Sequence, residues 1–263
     1  MSGLPTFETL AVVRRKRLLT IAFNRPAVLN AFNATMDGEI IDALRFAATD
    51  PESDVVMLTG EGRAFSAGGD LDHLETCIAE PARFEREAAD AKRLVFSLLD
   101  IEKPVVAKVN GHAVGLGATI ALFCDVVFAA DTAKIGDPHV GIGLVAGDGG
   151  AVIWPQLIGF ARAKEYLLTG DLVPAPDAAA MGLINHAVPS GELDARVDAF
   201  CERLLSGSSQ AIRWTKTTVN LELKRIAHAV MDPGIAYEAL SQRSQEHRDA
   251  VQAMKKTIAT KKT

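Results

Sequence analysis

Two glycine-rich loops are the segments of the sequence best suited to stabilising a developing negative charge. The first reads AFSAGGDL at residues 64–71 and the second reads NGHAVGLGATIAL at residues 110–122, each after a short apolar run. Glycine lets the backbone approach a ligand closely, and free N–H groups at a turn that opens a helix can hold an oxyanion. The two loops therefore predict an oxyanion hole with one N–H from each. Neither loop has the GxGxxG or GK[ST] pattern of a nucleotide-phosphate site.

His139 and Asp148 are the candidate catalytic side chains. His139 ends the segment GDPH at residues 136–139, and Asp148 lies nine residues further in AGDGG, at a predicted helix start. Imidazole titrates near neutral pH and can act as a general base, and a carboxylate can orient the ring and stabilise its charged form. Structural roles are the alternatives, because Asp148 could cap the helix and His139 could be a hydrogen-bonded loop residue.

Alternating strand, loop and helix segments must position these residues. Strand patterns occur at residues 10–13, 18–23, 54–59, 105–109 and 126–130, and helical patterns at residues 33–48, 80–100 and about 150–157. This order predicts an α/β fold with a parallel sheet and crossover helices. The first two strands form a predicted hairpin, whose basic turn at residues 14–17 is expected to be solvated rather than to bind phosphate.

Composition excludes several functional classes. The 263 residues carry a formal net charge of −5, which leaves no surplus of Lys and Arg for a nucleic acid. The longest apolar stretch, residues 113–130, is interrupted by glycines and polar residues, so we expect no membrane span. The first residues lack the form of a signal peptide, so we expect a cytoplasmic protein. Three scattered cysteines favour neither disulfides nor a zinc cluster. No metal site is predicted, because metal-ligand spacing with one another, or with Asp and Glu, is lacking for five histidines: His73, His112, His186, His228 and His247.

The composition changes after Pro189, and the chain from Gly191 onwards is helical in pattern, charged and almost free of strand signals. This change predicts a core at residues 1–190 and a C-terminal helical region at residues 191–263. The region either packs on a neighbouring copy or forms an ordinary solvated helix pair. Its end is rich in lysines, namely Lys255, Lys256, Lys261 and Lys262.

Motifs along nearly the whole chain resemble the crotonase (enoyl-CoA hydratase/isomerase) superfamily. They are NRPAVLNAF, AFSAGGDL, NGHAVGLGATIALFCDVVFAAD, IGLVAGDGG, LLTGD and AAAMGLINHAV, in that order. The resemblance implies a crotonase-type spiral of ββα units with a helical C-terminal trimerisation region, and a homotrimer or a dimer of trimers. It also implies a lyase that acts on an acyl-CoA thioester through an enolate, with coenzyme A as part of the substrate and no separate cofactor.

The same resemblance assigns candidate residues to the binding of the thioester. The backbone N–H groups of Gly69 and Leu116 are expected to form the oxyanion hole. The remaining expected substrate-binding residues are Ala67, Gly68, Asp70, Leu71 and Thr119.

Both glutamates that hydratases of this family use are missing. Thr119 stands where one is expected, three residues beyond the second oxyanion residue, and His139 stands at the other, after the proline of the GDPH loop. A two-glutamate mechanism is therefore not available, and a His139 activated by Asp148 is the expected replacement.

The segment from DPH to GDGGAVIWP also resembles the oxocamphor hydrolase branch of the superfamily, which cleaves cyclic β-diketones by a retro-Claisen reaction. Glu238 matches a glutamate that joins the site in that branch, with a solvated helix charge as the alternative. Leu116 departs from the branch, which has a histidine near that position. Ala27 and Asp72 replace lysines that are frequent in coenzyme A-binding members, and both exchanges remove positive charge.

Three functions follow as hypotheses. The first is an enoyl-CoA hydratase-like enzyme in which His139 and Asp148 activate water. The second is a C–C bond hydrolase for a β-diketone or a β-keto acyl-CoA, which uses the same pair. The third is a non-catalytic acyl-CoA binding protein, which the loss of both glutamates would favour.

Overall fold

The chain begins with a hairpin that starts a mixed sheet. The computed structural model describes residues 3–261. The strands of the larger sheet are β1 (Leu10–Arg15), β2 (Leu18–Phe23), β3 (Val55–Gly60), β5 (Val105–Val109), β7 (Val126–Ala130) and β10 (His186–Val188). Among the described residues their order is β1-β2-β3-β5-β7-β10. Only β1 and β2 pair antiparallel in this sheet, and the other neighbours are parallel.

A smaller sheet receives the chain after β3, β5 and β7. Its strands are β4 (Ala64–Ser66), β6 (His112–Val114), β8 (Lys134–Gly136) and β9 (Val173–Pro174). Their order is β4-β6-β8-β9, with β9 antiparallel to β8. The pairs β3–β4, β5–β6 and β7–β8 each lead into a helix, which gives three ββα units in succession. The α/β fold with a ββα spiral is therefore confirmed.

The helices cover the sheets and form the C-terminal region. They are α1 (Ala34–Thr49), α2 (Leu71–Ala79), α3 (Pro81–Asp100), α4 (Leu116–Phe123), α5 (Gly150–Thr169), α6 (Ala175–Ala180), α7 (Leu193–Ser206), α8 (Ser209–Gln242) and α9 (Gln245–Lys261). Helix α5 extends twelve residues beyond the predicted end, Leu157, because the helix resumes after a kink at Gly159, where φ is 76°. Helix α2 was not predicted; Asp70 caps its first turn by accepting hydrogen bonds from the backbone of Asp72 and His73.

The basic hairpin turn is only partly solvated, so that expectation is wrong for Arg14. The Arg14 guanidinium binds the carboxylates of Asp50 and Glu52, and its side chain is 13% exposed. Arg17 contacts Asp54 at the same end of the sheet. These ion pairs fasten the hairpin to the segment that follows α1.

The C-terminal region packs on its own core through α8. The Lys216 ammonium donates to the backbone oxygen of Lys103, and the Asn220 amide donates to that of Leu99; both polar side chains are buried. The same helix exposes large apolar side chains, among them Trp214, Val219, Leu221, Tyr237 and Leu240. An oligomer of this chain remains a prediction. In the part of the chain that the structure describes, no helix combines the length and the apolar character needed to span a bilayer.

Candidate active site

The first glycine loop is shaped by the segment NRPAVLNAF. Asn30, in left-handed backbone conformation with φ of 56°, donates through its amide to the backbone oxygens of Glu61 and Ala64 at 2.9 Å. Its own backbone oxygen accepts the Ser66 hydroxyl, which in turn accepts the N–H of Gly68. These hydrogen bonds fix the backbone of the first glycine loop. They explain why Asn30 and Ser66 lie among otherwise apolar residues.

A backbone bridge between Phe32 and the first glycine loop directs the N–H of Gly69 away from Phe32. Phe32 donates to the oxygen of Gly68 and accepts from the N–H of Asp70, which is a parallel bridge centred on Gly69. In such a bridge the middle residue's own N–H points to the opposite side. Among the described residues, no acceptor contacts the Gly69 N–H. The group is therefore free to bind a ligand oxygen.

The second glycine loop offers an equivalent donor at the start of α4. Gly115 precedes the helix with φ of 54°, and Leu116 is its first residue, so the N–H of Leu116 has no acceptor within the helix. The two loops touch: a Cβ built on Gly115 would lie 3.7 Å from Cα of Gly68 and 3.7 Å from Cε1 of His139. The predicted oxyanion residues thus lie on adjoining loops next to the histidine ring.

His139 lies between two carboxylates. Asp137 contacts Nδ1 of the ring, and Oδ2 of Asp148 lies 3.6 Å from Nε2. Asp148 also accepts the Thr119 hydroxyl at 3.3 Å and lies 3.5 Å from the N–H of Gly150. The residue on the Nδ1 side is therefore Asp137, which sequence reasoning missed although it stands two positions before the histidine. Asp148, expected to orient the ring, lies at the opposite nitrogen.

Glycines of the segment AGDGG make room for the carboxylates. A Cβ on Gly150 would lie 1.9 Å from Oδ2 of Asp137, and one on Gly147 would lie 2.3 Å from the backbone oxygen of Gly234 and 2.8 Å from Oε2 of Glu238. Glu238 is only 7% exposed, so the alternative of a solvated helix charge is wrong. It reaches the site of its own chain, because α8 packs directly against this loop.

Burial and mutual repulsion shift the protonation of this cluster. For His139, burial opposes the charged ring, but the carboxylates of Asp137, Asp148 and Glu238 together raise its pKa well above 6.5. Burial, then the charge of Asp148, raise the pKa of Glu238 to about 8. Burial also raises the pKa of Asp148. At neutral pH the ring therefore carries a proton and Glu238 is a neutral acid able to donate one.

A cavity of about 230 Å³ connects the glycine loops with this cluster. Among the described residues that line it are Gly68, Gly69, Leu116, His139, Asp148 and Glu238, with Ala67 and Leu71 beside them. Two predicted substrate-binding residues, Asp70 and Thr119, are not among the residues that line the cavity. Asp70 caps α2 and binds Arg25 at 2.9 Å, and Thr119 is buried against Asp148. Both support the site without lining the cavity.

Among residues 3–261, two groups of side chains bring metal-ligating atoms within 4.8 Å of one another. One is Asp137, His139 and Asp148, whose atoms already contact each other. The other is His73, Cys77 and Glu87 on the cavity wall. His73 and Cys77 are four residues apart on α2, and Glu87 comes from α3. Sequence reasoning missed this group because it paired the histidines only with one another and with Asp and Glu.

The lysine-rich end of the chain is partly engaged in ion pairs. Lys255 binds Asp72 at 2.7 Å and Glu75 at 2.6 Å. The Asp72 that replaces a frequent lysine therefore joins α2 to α9. Lys262 and the side chain of Lys261 lie outside the described residues.

Comparisons with known proteins agree on one family. The family model described as enoyl-CoA hydratase/isomerase matches residues 14–259. A crotonyl-CoA hydratase of Syntrophomonas wolfei is 36% identical over 216 residues, which are 81% of this chain and 82% of that protein. A crystal structure of an enoyl-CoA hydratase/isomerase from Mycobacterium paratuberculosis has a TM-score of 0.90 at 35% identity and covers 94% of this chain and 99% of its own. The structure of a β-diketone hydrolase from Anabaena, bound to (S)-3-oxocyclohexyl acetic acid, has a TM-score of 0.84 at 27% identity. The match covers 90% of this chain and 95% of that chain.

Proposed function

Since the chain belongs to the enoyl-CoA hydratase/isomerase family, we propose that it adds water to an enoyl-CoA thioester with a histidine–carboxylate cluster in place of the family's two glutamates. The observation that carries this proposal is the position of His139, held between Asp137 and Asp148 beside both glycine loops. Similarity to the crotonyl-CoA hydratase of Syntrophomonas wolfei supports the substrate class.

The oxyanion donors act on the thioester oxygen. The N–H groups of Gly69 and Leu116 donate to it as water attacks Cβ. The electron pair of the Cα–Cβ double bond then shifts to the bond between Cα and the carbonyl carbon, and the negative charge of the enolate develops on that oxygen. Because no acceptor within the described part of the chain competes for these N–H groups, they need little reorganisation when the charge develops.

Hydration also needs a base for water and an acid for Cα. Asp148 lies at Nε2 of His139 on the cavity wall and accepts the water proton as oxygen attacks Cβ, while the protonated ring stabilises the carboxylate. Asp137 orients that ring from Nδ1. Glu238, neutral up to a pH of about 8, donates its proton to Cα of the enolate. The proton that Asp148 takes from water then replaces the one that Glu238 has given to Cα.

A C–C bond hydrolase is the second candidate, favoured by the similarity to the Anabaena β-diketone hydrolase. Here water attacks a ketone carbon, and the bond between that carbon and its neighbour breaks. The electron pair of the broken bond passes to an enolate that the same N–H groups hold, and Glu238 protonates it. The products are an acid and a ketone or a shortened acyl-CoA.

Mass spectrometry of the protein with a panel of enoyl-CoA, β-keto acyl-CoA and cyclic β-diketone substrates tests the proposal. Hydration gives an intact acyl-CoA heavier by one water, whereas hydrolysis gives a keto acid or two fragments. His139→Ala is expected to abolish turnover, and His228→Ala, an exposed residue of α8, is the matched control. Tight acyl-CoA binding without any product would refute both reactions and favour the binding protein.

A further inference from the structure

We propose that His73, Cys77 and Glu87 form a zinc site with its fourth coordination position open to the cavity. His73 and Cys77 lie one turn apart on the same face of α2, and Glu87 reaches them from α3. The site lies outside the His139 cluster, and its occupancy does not depend on which reaction the protein catalyses.

The spacing of the three ligand atoms suits a tetrahedral metal. Sγ of Cys77 lies 3.7 Å from Nε2 of His73 and 3.7 Å from Oε2 of Glu87, and Nε2 lies 2.9 Å from Oε2. Zinc with ordinary bond lengths to sulfur, nitrogen and oxygen separates its ligand atoms by about 3.3–3.6 Å. Only the His73–Glu87 pair must move apart, by about 0.4 Å, for the metal to bind.

A second interaction holds the glutamate in the ligating orientation. Nε of Arg83 donates to Oε1 of Glu87 at 2.8 Å, which leaves Oε2 directed at the histidine and the cysteine. Outer contacts of this kind orient the ligands of metal sites.

The acidic side chains around this position favour a cation. Asp37, Glu87 and Asp90 line this part of the cavity and act on one another electrostatically, and the described lining contains neither Lys nor Arg. Asp37 adds an independent sign of a missing partner, since its buried Oδ1 has no hydrogen-bond donor among the described residues. Burial, followed by the charges of Glu87 and Asp90, raises the pKa of Asp37 to about 7. A divalent ion on the neighbouring residues would relieve this repulsion.

Metal binding must release the proton of the cysteine. Without metal, the Cys77 thiol is the donor in its contact with Oε2 of Glu87 at 3.7 Å. Zinc replaces that proton to form the thiolate, as metal ions do with coordinating thiols. The proton passes to solvent, and the affinity for zinc is therefore expected to increase with pH.

Cobalt(II) titration of chelator-treated protein, followed by displacement with zinc, tests the site. We expect one cobalt ion per chain with a thiolate-to-cobalt charge-transfer band that zinc abolishes. Cys77→Ser should lose the band, whereas Cys201→Ser, which removes a buried thiol elsewhere, should keep it. Arg83→Gln should weaken zinc binding by about 10- to 100-fold, as expected for an outer contact.

Each remaining outcome overturns the proposal. Cobalt binding without a thiolate band would place the metal on other residues, such as the group around His139. A band that persists in Cys77→Ser would assign it to another cysteine. Absence of binding at micromolar cobalt and zinc would show that the His73–Glu87 contact is only an ion pair. Circular dichroism of each variant verifies folding, and His73→Asn repeats the test without altering a thiol.

Discussion

Replacing Asp137 by asparagine removes the carboxylate that contacts Nδ1 of His139. A hydrogen bond to a charged group contributes about 1.5–3 kcal/mol. Because about 1.4 kcal/mol corresponds to a factor of ten in rate, turnover should fall about 10- to 100-fold if the contact holds the reactive form of the ring. The new amide nitrogen would occupy the position of Oδ2, which is buried without a partner, so we also expect a loss of about 1–3 kcal/mol in the free energy of unfolding.

Two measurements separate the effect on the ring from the effect on folding. Turnover is measured on the substrate that the panel identifies, and the pKa of the His139 ring is followed by NMR titration. Removing the negative charge at Nδ1 should lower that pKa toward 6.5, because the Asp137 carboxylate is one of the groups that raise it. Asp198→Asn, at an exposed position of α7, is the control. An Asp137→Asn variant with unchanged turnover and an unchanged His139 pKa would refute the assignment.

Three further predictions concern the oxyanion hole, the packing of the cluster and its protonation. Leu116→Pro removes one N–H at the first position of α4, where proline fits a helix, and should lower kcat about 10²- to 10³-fold; Leu116→Ala keeps the N–H and should retain most activity. Gly150→Ala places a methyl group against Asp137 and should lower the free energy of unfolding by about 1–3 kcal/mol. Urea denaturation measures this loss, and a smaller change would mean that the carboxylate of Asp137 moves freely. Glu238 keeps its proton in the folded state up to a pH of about 8 but loses it near 4.5 when unfolded, so it should lower stability by up to about 1.4 kcal/mol per pH unit as the pH rises between those values. Glu238→Gln should flatten this decline in thermal melts between pH 5 and pH 8, and an unaltered slope would contradict the buried acid.

The sequence predicted the elements that carry strong local signals. Strands made mostly of apolar residues, such as β3 and β5, were identified because burial on both faces leaves few polar positions. Helix α2 was missed because it begins inside the glycine loop, and its cap, Asp70, was interpreted as a substrate-binding residue. The end of α5 was missed because Gly159 interrupts the helical pattern, although the helix continues beyond it.

The site was predicted where motifs are contiguous and missed where they are not. His139 and Asp148 come from one segment, so their proximity was expected. Which nitrogen each acid faces depends on backbone direction after Pro138, and that is not visible in residue order. The His73–Cys77–Glu87 group was missed for a similar reason, since it spans two helices whose angle is set by the break at Glu80 and Pro81.

The fit between glycines and acids in the segment AGDGG constrains the order in which substitutions can accumulate. A side chain at position 150 is tolerated only after Asp137 has become smaller, and one at position 147 only after the backbone of α8 at Gly234 has moved. Each single change is therefore expected to be deleterious although the matched pair would be accepted. Such sign epistasis is expected to slow the replacement of these glycines by larger residues, because the first of the paired changes is unfavourable by itself.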